Sequence, residues 1–71
     1  MDVRGWLETK MLVGSTSWCG PRDFNVDVEA FQAIRAELHD LAADGFVEIR
    51  QEHPVSTGGH LVDMVQVKRL K

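Results

Sequence analysis

The feature that most constrains this chain is a helix signed at both ends. From Val28 to Asp44 the apolar residues Phe31, Ile34, Leu38 and Leu41 recur at spacings of three, four and three, which gathers them on one buried helical face. Ala30, Ala33, Ala36, Ala42 and Ala43 add helix propensity. Asp27 suits the N-cap, where its carboxylate can accept from first-turn N–H groups, and Val26 before it can staple onto Phe31. Gly45 suits the left-handed residue that closes a helix, and Phe46 can then reach back to Leu41 in a Schellman arrangement.

After Gly45 the period changes from helical to two. Phe46, Val47 and Ile49 alternate with Glu48 and Arg50, giving a strand of about six residues that breaks at His53–Pro54. Pro54 to Gly59 is turn chemistry, with Gly58 and Gly59 suited to positive φ, and Leu61 to Leu70 reads as the returning strand of a β-hairpin. Earlier in the chain Val3, Trp6, Leu7 and Met11 lie at helical spacing, so a short N-terminal helix is expected, with Gly14 as its stop. A short strand at Met11 to Val13 competes with that reading. The stretch Ser15 to Pro21 has too many turn formers for a long helix, and Trp18 and Phe24 are expected to anchor it to the core.

A chain of 71 residues makes one domain, residues 1–71, and a domain of this size buries only roughly 60% of its unfolded surface. The expected fold is α+β: a short N-terminal helix, a long capped helix and a C-terminal hairpin. With a core this small and no staple, homodimerisation is a standing expectation. Cys19 is the only cysteine, so no internal disulfide forms, and a reducing, cytoplasmic location is the expectation. No secretory signal or membrane span is read in the sequence.

The net charge of −3 is unevenly placed. Residues 1–26 balance. Residues 27–44 carry Asp27, Glu29, Glu37, Asp40 and Asp44 against Arg35, and residues 45–71 carry a small excess of base from Arg50, Lys68, Arg69 and Lys71.

The run Ile34-x-x-x-Leu38-x-x-Leu41-x-x-x-Gly45-Phe46-Val47, followed by a hairpin, resembles the back half of winged-helix domains over residues 26–70. The resemblance implies that the long helix is a recognition helix and the hairpin a wing touching phosphates. Glu29, Gln32 and Arg35 would then lie toward the groove, and Arg50, His53, Ser56, Thr57 and His60 would belong to the wing. The nucleic-acid-binding set expected on this view is Gln32, Arg35, Arg50, Lys68, Arg69 and Lys71, with DNA as the ligand and transcription regulation as the role. Charge bears against it: the helix opens with Asp27 and Glu29, acids that favour the helix dipole and repel a polyanion. Residues 14–25 also leave little room for the second helix of a helix-turn-helix. The competing expectation is a module that docks a protein partner through the acidic helix or the hairpin edge.

No enzyme is expected. Ser56, His60 and Asp63 are triad residue types, but all fall in one hairpin, where a fixed proton relay is not expected. His53 and His60 could face each other across the hairpin tip, yet no C-x-x-C or H-x-x-x-H spacing supports zinc. Cys19 beside Trp18 reads as a small core residue. No catalytic residue, metal or cofactor is assigned.

Overall fold

A computed structural model describes residues 2–55 and 61–71 of the chain. The elements are α1 (Val3–Lys10), β1 (Thr16–Cys19), a 3-10 turn (Pro21–Phe24), α2 (Val28–Ala43), β2 (Val47–Pro54) and β3 (Val62–Arg69). The strands form one antiparallel sheet in the order β1-β3-β2. The fold is therefore α+β, with a third strand, Thr16–Cys19, beside the two of the expected hairpin.

The Asp2 side chain caps α1 by accepting from the Gly5 N–H at 2.9 Å. The helix ends at Lys10, well before Gly14, because Met11 is needed in the core and takes extended backbone there. Gly14 serves the next turn instead. Ser15 N–H donates to the Leu12 carbonyl, Gly14 has φ +86°, and Gly14 and Ser15 together face Arg69: Gly14 N–H donates to the Arg69 carbonyl and Arg69 N–H to that of Ser15. This is a tight turn running into a G1 bulge, which needs a positive φ at its first residue. The strand that follows begins at Thr16, beyond the Met11–Val13 stretch considered for it. Its residues look like turn formers, and pairing with β3 overrides that local preference.

α2 behaves as its sequence dictates. Asp27 caps it by accepting from Ala30 N–H at 2.7 Å. At its far end Phe46 N–H donates to the Leu41 carbonyl and Gly45 N–H to that of Ala42, with φ +78° at Gly45, so the Schellman closure forms. Phe31, Ile34 and Leu38 are buried, together with Val3, Leu7 and Met11 from the N-terminal segment, Phe24 from the 3-10 turn, and Cys19, Phe46, Val47, Val62, Val65 and Val67. Leu41, Ile49, Val26 and Trp6 pack against this core at its margin. Trp6 meets Phe24 at a ring-centroid distance of 4.5 Å, and Phe24 meets Phe31 at 6.3 Å. Among the described residues no helix is long and apolar enough to cross a membrane.

Two irregularities in the hairpin decide which side chains face α2. Ile49 lies opposite Val67 and Gln51 opposite Gln66, so Arg50 is an extra residue; similarly, His53 lies opposite Met64 and Pro54 opposite Val62, so Asp63 is extra. Each bulge inverts the alternation that follows. Without the first, Glu52 would point away from α2. With it, Glu52 faces the helix, accepts a bidentate pair from Arg35 at 2.6 and 3.1 Å, and meets His39 Nε2 at 2.8 Å. The Arg35 guanidinium, chiefly by hydrogen bonding, draws the Glu52 carboxyl down to about 2 from its ordinary 4.5.

A carboxyl that titrates lower in the folded chain than in the unfolded one stabilises fully above the unfolded value, and that stability is lost as pH falls through the folded one. The Glu52 side chain is a quarter exposed and Arg35 about a third, so solvent screening reduces the gain. Glu52→Gln is therefore expected to cost about 1–2 kcal/mol at neutral pH. Urea unfolding of both proteins should converge as pH falls from about 4.5 toward about 2. A gap that persists at the acid end would remove the ion pair as its cause.

Candidate interaction surface

Residues 11–21, Met-Leu-Val-Gly-Ser-Thr-Ser-Trp-Cys-Gly-Pro, contain no charged side chain, in a chain that is 27% charged. This stretch contains β1, an outer strand of the sheet. Edge strands usually carry a lysine, a proline or a mid-strand bulge that blocks pairing with another chain. Thr16 to Cys19 has none of these, and the only protection of this edge is its length of four residues.

Backbone direction follows from the register. Arg69 bonds to Ser15, and antiparallel hydrogen-bonded pairs alternate, so Ser17 and Cys19 bond to Val67 and Val65. The N–H and C=O groups of Thr16 and Trp18 therefore point to the outer edge. Side chains alternate across the sheet in the same way: Cys19 enters the core, while Thr16 and Trp18 project from the face opposite the helices. Trp18 is accordingly 39% exposed, in place of the core position expected for it, whereas Phe24 is buried as expected.

Exposed apolar groups sit at both ends of this edge. At the entrance Leu12 is 81% and Val13 61% exposed. At the exit a hollow of about 540 Å3 is walled by Trp18, Pro21, Val28 and Met64, with Arg22 and Asp63 among its polar lining. A smaller, shallow apolar hollow of about 260 Å3 is bordered by Trp18, Met64 and His53. His53 Nδ1 meets Asp63 Oδ1 at 2.7 Å across the hairpin. Asp23 closes the 3-10 turn by accepting from Gly20 N–H at 2.7 Å.

The residues expected to contact nucleic acid do not form one face. Gln32 is spent inside the fold: its amide nitrogen donates to the Val62 carbonyl at 2.8 Å and its amide oxygen accepts from Val62 N–H at 3.2 Å. Arg35 is held by Glu52. Arg69 joins the end of β3 to α1, donating to the carbonyls of Met11 at 2.6 Å and Glu8 at 3.4 Å, with its guanidinium 5.6 Å from the Phe46 ring centroid. Arg50 pairs with Glu48 at 3.0 Å. Lys68 sits on β3 between Thr16 and Glu48, and the Lys71 ammonium lies beside Gly45, near the C-terminus of α2. The exposed residues of α2 include Glu29, Asp40 and several alanines, and no lysine or arginine, with Asp44 exposed at its C-cap.

Chemistry of other kinds finds little here. Cys19 is buried, and burial, with a smaller contribution from Asp23, pushes its thiol up to about 12, so it is a neutral core residue. Among the described residues no three metal-binding side chains cluster. Ser56, Thr57, Gly58, Gly59 and His60 lie outside the described residues, and with them the His53–His60 pairing, the triad residue types and the glycine pair of the hairpin tip.

The sequence does not single out β1 as a strand or Trp18, over Trp6, as the one exposed tryptophan. The signal that could have found both is the charge-free run itself, bounded by Lys10 and by Arg22–Asp23. Comparison with known proteins gives no significant match to a family model, a curated protein or a solved structure.

Proposed function

We propose that this chain is a non-enzymatic binding module that takes an extended protein segment as an additional strand on β1. The observation that carries this reading is the uncharged, unblocked outer edge of β1, with Trp18 half exposed on it. Main-chain groups of Thr16 and Trp18 would give affinity, and the hollows beside Trp18 and Met64 would select side chains. Tryptophan suits such a place, since it buries a large area for little conformational entropy. A cytoplasmic location belongs to the same reading and is supported by the single, reduced cysteine.

The test is selection of short random peptides against the chain immobilised at low density. Selected peptides are expected to alternate apolar and polar residues and to lose binding to the Thr16→Lys variant, which puts a charge on the edge. An empty selection, or peptides indifferent to that substitution, would overturn the proposal.

A second reading, a winged-helix type nucleic-acid-binding regulator, is supported by the element order: a helix, a strand, a turn, a long helix, and a hairpin whose last strand is central. With Gln32, Arg35 and Arg69 engaged internally, phosphate contacts would fall to Arg50, Lys68 and Lys71. Labelled duplex offered to the same surface at about 50 mM salt separates the two readings. Retention that falls steeply with salt would favour nucleic acid, and its absence would eliminate that alternative.

A further inference from the structure

We infer that the added strand is β1 of a second copy of this chain, giving a two-fold dimer whose two sheets join into one. The inference rests on the reading of β1 as a docking edge and names its occupant.

Self-complementarity is the first argument. Thr16 and Trp18 are the two edge residues whose backbone groups face outward, and one antiparallel register about a two-fold axis at Ser17 sets each Thr16 opposite the partner's Trp18. Both residues of each chain then enter reciprocal hydrogen-bonded pairs, using every outward group on β1. The same antiparallel direction places the entrance of one edge, with exposed Leu12 and Val13, toward the exit end of the other, where the partner's Pro21 and the partner's Arg22 lie. Those two partner residues line the 540 Å3 hollow. The exposed apolar pair at one end of the edge thus lies toward the hollow at the other end, and the two-fold axis repeats the arrangement. An isologous contact requires such a projection and recess within one patch.

Charge is the second argument. Two copies at −3 repel each other, and the excess acid lies in residues 27–44, on α2 and its two caps. The charge-free run 11–21 is the surface through which copies can approach without opposing like charges. At its ends stand Lys10 on one side and the neutral pair Arg22–Asp23 on the other, so antiparallel docking brings no two acidic ends together.

Analytical ultracentrifugation of the whole chain from about 1 to about 200 μM tests this, because an interface below standard size dissociates in that range. A monomer–dimer equilibrium is expected. Leu12→Lys and Thr16→Lys should each raise the dissociation constant about tenfold or more, since the two-fold axis doubles every added charge, while Ala36→Lys on the exposed face of α2 should leave it unchanged. Leu12 and Thr16 are exposed, and circular dichroism checks that each variant folds; if Thr16→Lys does not, Leu12→Lys alone carries the test. A monomer at every concentration overturns the second copy, and so does a dimer indifferent to both edge lysines. Edge-directed peptide binding by a monomeric chain would sink this inference and leave the docking edge standing. Loss of both would remove the two together.

Discussion

Replacing Leu38 by Ala is expected to remove about 2–5 kcal/mol of stability. Leu38 has no exposed surface and sits between Phe31 and Ile34 on one side and the Schellman closure of α2 on the other, within the cluster that includes Phe46, Val65 and Val67. Such a site cannot collapse easily, because its neighbours come from a helix and two strands that hold one another in place, so most of the deleted volume remains as a void. A domain of this length has a total stability of about 4–10 kcal/mol. The substitution therefore takes a large share of it, and urea unfolding followed by tryptophan fluorescence should show a midpoint displaced far more than for Leu41→Ala at the core margin. A loss below about 1 kcal/mol would mean that the α2 face and the sheet do not share a core.

Gly45→Val should cost about 1–3 kcal/mol, and the cause is backbone alone. A Cβ at Gly45 would meet nothing nearer than the Lys71 side chain at 3.7 Å, so there is space for the new side chain. The φ of +78° is what valine resists, since its branched Cβ crowds the carbonyl there. Relieving that strain breaks the bonds from Phe46 to Leu41 and from Gly45 to Ala42, and shifts the entry into β2. Gly45→Asn provides the contrast, because asparagine tolerates the left-handed region. Similar losses for asparagine and valine would point to a steric cause and contradict this account.

α2 and the hairpin were legible in the sequence because their signals are local. Asp27, Gly45 and the Phe31-Ile34-Leu38 stripe each act within a few residues, and the period-two pattern of Val47 and Ile49 needs only a neighbouring strand. β1 was not legible because Thr16 and Trp18, strand formers, are interleaved with Ser15, Ser17 and Cys19 and bounded by Gly14 and Gly20–Pro21, so the strand is made by pairing with residues some fifty positions away. Gly14 was recognised as a stop and assigned to the wrong element, since a glycine that ends a helix and one that begins a bulge look alike. The bulge at Arg50 hid the candidate site further: it carries Glu52 to the helix and so engages Arg35, a residue that spacing alone leaves exposed. Gln32 was lost from the expected nucleic-acid set for a similar reason, since its partner Val62 lies across the fold.

The position of β3 between β1 and β2 also governs the order in which the chain can be completed during synthesis. The first strand to emerge has no partner until the last has followed it, and the C-terminal carbonyls of α1 wait for Arg69. α2 can form early from its own caps, but the stretch from Leu12 to Trp18 stays uncharged and unpaired until residues 62–69 have followed it out of the ribosome. Nascent copies on one message are then held close together with this segment exposed, which makes it a place where copies can associate before they have folded.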